Sequence, residues 1–417
     1  MLKILKEKLH YVLLKLDFDF FDDIIAFYLS MIVKFKEKME NKKLQKSKKC
    51  KLIIDVSSTF ATSLTNKTGV YRVVDGIINN LDLVHCDCVY NYNTKCMIEI
   101  NWQDKQSLNT EIDFNDTKIF FLLDPDRNYY NEYSRLLKTL QNRKIKIVGF
   151  VHDLIVLRHP VYCGSVISKF LFKKHIFLLL EYCDYIICNS KSTELDLKNF
   201  YIENRDSIKR NKDPKITFVH MGSNINCLLK NKHDTIRDEL EEFCDKRTFL
   251  MVGTVEIRKG HYEVLSAFLK LWKNGYNFKL LILGKEGWQV KKFKDLYKNN
   301  NFVEKVLWID DTNDLELKYA YKNTYALIMA SKAEGYGLPL VEAANYNLKI
   351  LCSKIPIFIE ILKENAIYFD QNNINDIYDK ILLSLMTDNS KKIHKSKFYT
   401  WKDTAKEIED IINEIKL

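Results

Sequence analysis

The chain has 417 residues, 47% of them hydrophobic, which is enough to bury the cores of two domains of ordinary size. Its net charge of +10 is uneven, because residues 1–50 carry twelve lysines against seven acidic residues. Elsewhere lysines are nearly balanced by acids, so the charge pattern excludes a dedicated nucleic-acid-binding module.

Residues 1–48 are predicted to form an amphipathic and basic N-terminal helical extension. Seven apolar residues recur there at helical spacing, namely Phe21, Ile24, Ile25, Tyr28, Met31, Ile32 and Phe35. The longest apolar run, residues 24–33, is about half of what a bilayer span needs, and no signal-peptide pattern is present. Two interpretations remain open: a helix lying on an anionic membrane surface, or a helix packed on the protein or on a second subunit.

Apolar runs from residue 51 onward predict the strands of an N-terminal domain, residues 49–228. These runs are 51–57, 83–90, 118–124, 144–151, 185–190 and 216–220. Helical patterns separate most of them, at 70–81, 129–141, 166–182 and 191–199. Because apolar residues occupy consecutive positions in these runs, the strands are expected to be covered on both faces, as in a parallel sheet.

The cysteines of this domain raise the question of a metal site. The chain has ten cysteines without paired spacings, which favours a reduced, cytoplasmic compartment. His85, Cys86, Asp87 and Cys88, with Cys96 beyond them, can be interpreted as a zinc site. Their spacing matches no common ligand set, so buried or incidental cysteines are favoured and no metal site is predicted.

A second series of strands predicts a C-terminal domain, residues 229–395. A charged stretch at residues 223–246 is predicted to connect the two domains, so it overlaps the start of this one. Strands are predicted at 249–254, 279–284, 305–310, 325–330 and 349–353, and helices at 261–274, 289–298, 314–322, 340–347 and 356–363. Two consecutive series of this kind predict an α/β protein with two doubly wound domains that face each other across a cleft. Ligands of such sheets bind at the carboxyl ends of the strands.

The stretch SKAEGYGLPLVEA, residues 331–343, lies at such a carboxyl end. Glu334 and Glu342 enclose seven residues, among them two glycines and a proline suited to a first helical turn. Free amides at a helix start favour a phosphate or diphosphate. Glu342, predicted inside the first turn, is placed to accept hydrogen bonds from a ribose, and Glu334 from a second sugar. The alternative is a capped helix whose Glu342 only complements the helix dipole.

Three further positions fall at strand ends or before helices. Arg258 and Lys259 follow the strand that ends at Gly253 and suit a leaving diphosphate, although a solvated surface pair is the alternative. His152 follows the strand 144–151 in the facing domain, where either its ring or its peptide can contact a reacting sugar. The alternative interpretation is a purely structural histidine. Gly69 lies in a loop ahead of a helix and can approach the phosphates or the acceptor. The alternative interpretation is a flexible turn without a role in binding.

The order of the motifs TGVYR, VHDL, ICNSKST, VHMGSN, VGTVEIRKG, LILGKEGW, AEGYGLPLVEA and LCSKIPIFIEI resembles a retaining nucleotide-sugar glycosyltransferase of family 4, with the GT-B fold. The resemblance covers residues 51 to about 408, and residues 396–417 are similar to that family's closing helix, which returns to the N-terminal domain. It departs from the family where Thr254 follows Gly253 in place of the usual arginine and where Tyr336 replaces the usual phenylalanine. Residues 1–48 and 91–116 lie outside it.

By this resemblance, the donor cleft lies between the two Rossmann-like domains. The catalytic positions that it implies are His152, Lys259 and Glu334, and the donor-binding positions are Gly69, Gly253, Arg258, Gly335, Tyr336, Gly337, Leu338 and Glu342. Within these, Glu334 meets the donor sugar, Glu342 the ribose, and Arg258 with Lys259 the diphosphate. The family also implies that no metal is obligatory and that no other cofactor is needed.

The implied activity is transfer of a hexose from a GDP- or UDP-sugar, with mannose slightly favoured, to a glycan or lipid-linked acceptor. Such an enzyme would build capsule or lipopolysaccharide, in the cytoplasm or on the inner face of the cytoplasmic membrane, where residues 1–48 can make a peripheral contact. The alternatives are a GT-B sugar-nucleotide epimerase or hydrolase, and a non-catalytic scaffold that binds nucleotide sugars. A metal-dependent transferase would use Asp124 and Asp126, or Asp310 and Asp311, while the lack of G-x-G-x-x-G after the first strand disfavours a dehydrogenase.

Overall fold

The computed structural model describes residues 45–46, 49–62, 69–162, 165–224, 235–299, 301–386 and 398–415. The predicted extension at residues 1–48 lies outside these residues apart from a two-residue strand, and so does part of the predicted connection at 223–246. No helix in the described part of the chain is both long and apolar enough to cross a membrane.

The first sheet belongs to the N-terminal half of the chain. Within the described residues its strands are β1 (Gln45–Lys46), β2 (Leu52–Asp55), β3 (His85–Asn91), β4 (Cys96–Asn101), β5 (Gln106–Glu111), β6 (Ile119–Leu122), β7 (Lys146–Val151), β8 (Tyr185–Cys188) and β9 (Lys215–Phe218), in the order β1-β5-β4-β3-β2-β6-β7-β8-β9. The strands from β3 to β9 in this order pair in parallel, whereas β4 is antiparallel to both β3 and β5. Its helices are α1 (Ser57–Thr62), α2 (Gly69–Ile78), α3 (Tyr130–Asn142), α4 (Ile155–Arg158), α5 (Val166–Tyr182) and α6 (Lys191–Glu203).

The six strands predicted for this domain are all present, whereas β1, β4 and β5 were not predicted. Every residue of β2 and β6 is buried, as their consecutive apolar residues predict. By contrast, β4 and β5 lie in the segment 91–116, and β5 has the polar sequence QSLNTE. Gln106, Ser107 and Leu108 are exposed, and among the described strands β5 is covered on its outer side by the two-residue strand β1 alone, so it never needed the apolar pattern that marks a buried strand.

The second sheet, in the C-terminal half, is parallel throughout. Its described strands are β10 (Thr248–Val252), β11 (Lys279–Leu283), β12 (Val306–Ile309), β13 (Ala326–Met329), β14 (Lys349–Ser353) and β15 (Ile367–Phe369), in the order β12-β11-β10-β13-β14-β15. The accompanying helices are α7 (Asp238–Phe243), α8 (His261–Lys273), α9 (Lys291–Lys298), α10 (Asp314–Asn323), α11 (Leu338–Asn345), α12 (Pro356–Leu362), α13 (Ile374–Met386) and α14 (Trp401–Glu414). The strand order reverses between β10 and β13, which is the switch point where doubly wound sheets bind ligands.

Each sheet is covered on both faces by apolar clusters, so the predicted α/β architecture of two doubly wound domains is confirmed. Along β6, Phe120 and Leu122 enter one cluster, while Phe121 and the following Leu123 enter the other. This alternation puts half of each central strand into each core. The last helix, α14, packs on α2 of the N-terminal domain and adds Trp401 and Ile408 to its core.

The packing of α14 on α2 depends on a glycine in α2. A Cβ added at Gly76 would overlap the indole ring of Trp401, so the ring lies directly on the backbone of α2. Gly222, just after β9, stands equally close to the backbone and ring of Trp401, and a Cβ there would lie 2.6 Å from its Cδ2 atom. Trp401 is therefore held between two glycine backbones.

We expect Gly76→Ala to lower the free energy of unfolding by about 1–3 kcal/mol, the usual cost of overpacking a close contact. The better helix propensity of alanine does not offset a clash with a ring that cannot move aside. Denaturant unfolding of the purified protein measures the loss. The control is Gly69→Ala in the same helix, where the new methyl group would meet nothing nearer than the Leu338 Cδ1 atom at 3.9 Å. Equal stability of the two variants would contradict the packing described here.

Candidate active site

The switch point of the C-terminal sheet brings Lys259 and Glu334 together. Lys259 follows β10 and Glu334 follows β13, two strands that lie side by side in the sheet although the residues are 75 positions apart. The Lys259 Nζ atom lies 2.5 Å from Glu334 Oε1, and the Lys259 side chain runs past Gly253 at the end of β10. Both side chains are largely buried. The sheet topology thus places a cation and a carboxylate at the point where a ligand is expected.

Arg258 joins the same cluster through both ends of its guanidinium group. Its Nη1 atom lies 3.0 Å from Glu334 Oε2 and donates to the Ala333 carbonyl at 2.5 Å, while Nη2 lies 2.5 Å from Glu256 Oε1. Two cations and two carboxylates therefore form a buried group with no net formal charge. The planar fork of arginine suits this arrangement, because it can serve several acceptors at once.

The two glutamates of this cluster differ in how well they are compensated. Burial alone would raise the pKa of Glu334, but Arg258 and Lys259 lower it to about 2, so this carboxylate stays ionised. Burial raises the pKa of Glu256 above its ordinary value in spite of Arg258 and Lys259. The second oxygen of Glu256, Oε2, has no hydrogen-bond partner among the described residues. Sequence analysis missed Glu256, although it lies two residues before Arg258.

The loop that carries Glu334 is pressed against the N-terminal domain. A Cβ at Gly335 would overlap the His152 carbonyl and lie 2.7 Å from the Asp153 Cβ atom, so only glycine fits there. The Gly335 carbonyl accepts hydrogen bonds from Ser190 Oγ at 2.9 Å and from Thr193 Oγ1 at 3.2 Å. The predicted positions 152 and 335 are thereby in contact across the cleft, and Ser190 and Thr193 at the start of α6 are further contacts that motif analysis did not assign.

The next residues of the loop lead into α11. Tyr336 reaches the backbone of Met221 in the N-terminal domain through its hydroxyl group, at 3.2 Å from the carbonyl oxygen. Gly337 has φ of +106°, a left-handed conformation that favours glycine, and it precedes Leu338, the first residue of α11. No side chain caps this helix start. Pro339 has no N–H and the Leu340 amide already donates to the Gly337 carbonyl, so this helix start offers an anion the Leu338 amide and the positive end of the helix dipole.

Glu342 lies in the second turn of α11, a correction to its predicted place in the first turn, because the helix begins at Leu338. Its Oε1 atom lies 2.5 Å from Nη1 of Arg72, which belongs to α2 of the facing domain. Its Oε2 atom accepts a hydrogen bond from the Tyr321 hydroxyl at 2.8 Å. Glu342, which was predicted to bind a ribose, is thus already bound by Arg72 and Tyr321, which lie on two different helices.

His152 stands at the end of β7 with one ring nitrogen engaged. Its Nε2 atom lies 3.3 Å from the Leu123 carbonyl, and since a carbonyl can only accept, Nε2 carries the proton. The other nitrogen, Nδ1, has no partner within the described residues and is left as an acceptor. Burial lowers the pKa of His152 from its ordinary value, so the ring is neutral at pH 7.

The structure brings most of the predicted site residues to one interdomain cleft. Gly253, Arg258, Lys259 and Glu334 lie at the switch point, Gly335 to Leu338 and Glu342 follow β13, and Gly69 and His152 face them from the other domain. Gly69 itself is near Leu338, at the start of α11. The cross-domain partner of Glu342, Arg72, was noted in the motif TGVYR but not assigned as a site residue.

The acidic pairs proposed as metal ligands have other partners. Asp124 accepts a hydrogen bond from Thr59, and Asp311 forms an ion pair with Arg237 at 2.8 Å. Across the described ranges, no three His, Cys, Asp or Glu side chains are grouped so that they could hold a metal ion. Of the proposed zinc ligands, Cys86 and Cys88 are buried thiols in the N-terminal core.

Comparison with known proteins identifies proteins that resemble this chain. Residues 232–402 match the family model described as glycosyl transferases group 1. A serotype-specific mannosyltransferase WbdA from Escherichia coli is 33% identical over 261 residues, which cover 61% of this chain and 32% of that protein. Another Escherichia coli WbdA is 28% identical over 85% of this chain and 45% of its own length. The O-antigen chain mannosyltransferase RfbU of Salmonella typhimurium is 25% identical over 54% of this chain and 56% of its own length.

The chain therefore spans between about a third and little more than half of the length of these relatives. Among solved structures, HepE of Anabaena in complex with UDP and glucose matches with a TM-score of 0.60 at 11% identity, over 88% of this chain and 100% of that one. A glycosyltransferase from Rickettsia africae matches with a TM-score of 0.60 at 14% identity, over 87% and 97% of the two chains. These likenesses show the shared fold. Residues 232–402, most of them in the C-terminal domain, match the glycosyl transferases group 1 family model, and the two domains together have the GT-B fold.

Proposed function

We propose that the protein is a retaining glycosyltransferase that moves mannose from a nucleotide diphosphate sugar to a glycan or lipid-linked acceptor of a surface polysaccharide such as an O-antigen. The observation that carries the proposal is the buried cluster of Lys259, Arg258 and Glu334 beside the uncapped start of α11. Cations and free amides suit a diphosphate, and a carboxylate next to them suits sugar hydroxyls.

The choice of mannose rests on the relatives, several of which are named as mannosyltransferases of O-antigen synthesis. The chain covers only part of each of them, so sugar, acceptor and linkage belong to the proposal. GDP and UDP are the two candidate nucleotides of the donor.

In the proposed reaction the bond between the anomeric carbon and the diphosphate oxygen breaks, and negative charge grows on the leaving diphosphate. Lys259, Arg258 and the positive end of the α11 dipole stabilise that charge, which allows the reaction to proceed without an obligatory metal. The neutral His152 ring offers Nδ1 as an acceptor to a hydroxyl group of the donor sugar. Glu334 is bound to two cations and is thus a poor nucleophile. Its state favours attack by the acceptor on the face that the diphosphate leaves, with a diphosphate oxygen taking the acceptor proton.

Two other functions would use the same cleft. A GT-B epimerase or hydrolase would release a free, altered or hydrolysed sugar without an acceptor, and a scaffold would bind the nucleotide without turnover. Mass analysis of the products formed from each nucleotide sugar, with and without a glycan acceptor, separates the three.

The first test is thermal unfolding of the full chain in the presence of GDP, UDP, ADP or CMP, each with and without EDTA. We expect one diphosphate nucleotide, GDP or UDP, to raise the melting temperature and EDTA to leave that shift unchanged. The physical reason is that charged groups of the protein, rather than a bound metal ion, hold the diphosphate. No shift with any nucleotide would contradict the proposed donor site.

Substitutions at the charge cluster should separate binding from transfer. We expect Lys259→Ala to lower kcat/KM by about 100- to 1,000-fold, as the loss of one stabilising group at a developing charge typically does. It should also weaken nucleotide binding, because a cation is lost. Glu334→Gln and Glu334→Ala should lower kcat/KM by a similar factor. They should leave nucleotide binding equal or tighter, because the cluster then carries a net positive charge.

Steady-state kinetics and titration calorimetry with the preferred nucleotide measure both effects. The control is Lys198→Ala, which removes an exposed lysine paired with Glu194 on α6. Its kinetics should match those of the unmodified protein. Transfer at the unmodified rate by either cluster variant would place the reaction elsewhere.

We propose that residues 1–48 make a peripheral contact with an anionic membrane, a contact supported by their lysine-rich amphipathic sequence. Deletion of residues 1–44, which keeps β1 in place, is expected to reduce co-sedimentation with vesicles containing phosphatidylglycerol and to leave transfer to a soluble acceptor unchanged. Neutral phosphatidylcholine vesicles are the control. Undiminished binding of the shortened chain to anionic vesicles would favour packing on the protein or on a second subunit instead.

A further inference from the structure

Arg72 reaches from the N-terminal domain to two carboxylates of the C-terminal domain. It is the fourth residue of α2, and its guanidinium group lies between Glu342 on α11 and Asp314, the first residue of α10. Nη1 is 2.5 Å from Glu342 Oε1, and Nη2 is 3.0 Å from Asp314 Oδ1. One side chain therefore joins three helices across the cleft.

The Glu342 carboxylate is fixed from two directions by this contact. Its other oxygen accepts from the hydroxyl of Tyr321, a buried residue of α10. Burial works against the charge of Arg72, but Glu342 and Asp314 raise its pKa further above the ordinary value, so the guanidinium stays charged. Only about a twentieth of Glu342 is exposed, whereas the side chain of Arg72 retains about a quarter of its exposure. The orientation of the carboxylate is thus set mainly by Arg72 and Tyr321.

Being held in this way does not prevent Glu342 from binding a ligand. Each carboxylate oxygen has two lone pairs, so Glu342 can keep Arg72 and Tyr321 and still accept from two vicinal hydroxyl groups. Arg72 also balances one of two carboxylates, Glu342 and Asp314, that would otherwise repel an anionic diphosphate nearby. Both effects require the domains to be in contact.

From these contacts we propose that Arg72 is a positioning residue that orients Glu342 for the ribose of the donor nucleotide, and so couples recognition of the ribose to contact between the two domains. The inference rests on the proposed function, because it takes the ligand of this cleft to be a nucleoside diphosphate. Coupling of this kind is reciprocal: a ribose that needs the oriented carboxylate also strengthens the contact that orients it.

The guanidinium group is suited to this role in a way that an ammonium group is not. Nη1 points to Glu342 and Nη2 to Asp314, and the planar guanidinium group binds both carboxylates at the same time. A lysine at position 72 would keep the charge but could direct it at only one carboxylate. Arg72→Lys therefore separates the effect of charge from the effect of orientation.

The test compares the affinity of the full chain for the preferred diphosphate nucleotide with that for its 2′-deoxy analogue. For the unmodified protein we expect removal of the hydroxyl to weaken binding about tenfold, as loss of a hydrogen bond to a charged group does. For Arg72→Met the same penalty should fall to about twofold or less, and for Arg72→Lys to about threefold. Glu342→Gln and Arg72→Met should each weaken nucleotide binding. In the double variant the two losses of affinity should not add up.

The matched control is Arg237→Met. Arg237 also bridges two carboxylates, Asp311 at 2.8 Å and Glu316 at 2.6 Å, and Glu316 lies on α10, but these contacts stay within one domain. This variant should keep the full deoxyribose penalty even if it is less stable. A merely structural role of Arg72 would lower the melting temperature and leave the penalty unchanged.

The possible outcomes distinguish this inference from the proposed function. If no nucleotide binds to the unmodified protein, the proposed function fails and the inference fails with it. If nucleotides bind but Arg72→Met, or the folded Arg72→Lys, keeps the full tenfold penalty, the inference alone is overturned. Loss of the penalty in Arg237→Met as well would also overturn it, by assigning the effect to the stability of α10.

Discussion

The contact between Gly335 and the peptide that follows β7 is the constraint on which the cleft depends. No side chain fits at Gly335, because the His152 carbonyl and the Asp153 side chain occupy the space. The Gly335 carbonyl is in turn held by two hydroxyl groups at the start of α6. Glu334 and α11 therefore come to a fixed position between the domains. Together with the contact of Tyr336 with Met221 and that of Arg72 with Glu342, this close approach keeps the charge cluster and the start of α11 facing the other domain.

The charge cluster shows how a site can bind anions while being neutral before they arrive. Buried charges are costly unless they are paired, and here each cation has a carboxylate partner. Glu334 remains ionised, whereas Glu256 has a raised pKa and an oxygen without a partner among the described residues. For the proposed diphosphate ligand, the orientation of the cations is already set by these pairs, so little reorganisation is needed. The cost of that preorganisation appears in Glu256, the least satisfied member of the cluster.

The sequence predicted the fold well where burial leaves a clear pattern. Strands such as β6 and β13 are apolar at every position because both of their faces are covered, and each was located within a few residues. The missed strand β5 is polar because it lies next to the outermost described strand, β1, and is exposed to solvent, so its place in the sheet is set by pairing with its neighbours. The short strand β15 was missed as well, since three residues give no periodicity.

For the site, sequence analysis located residues at strand ends but not their partners. Sequence analysis placed Lys259 and Glu334 in one cleft, because ligands of such sheets bind at the carboxyl ends of the strands, but it did not predict their ion pair. The contact between Arg72 and Glu342 joins residues 270 positions apart in different domains, and no pattern within either domain encodes how the domains meet. The motif TGVYR, with an arginine one turn after its glycine, was the available signal.

Helix α11 contributes to the cores of both domains. Leu338 and Val341 belong to an apolar cluster of the N-terminal domain, whereas Leu340, Ala343 and Ala344 belong to one of the C-terminal domain. Pulling the domains straight apart would expose Leu338 and Val341 to water, which is unfavourable. The apolar contacts of α11 therefore belong to both domains, and they keep Glu342 at the boundary between them.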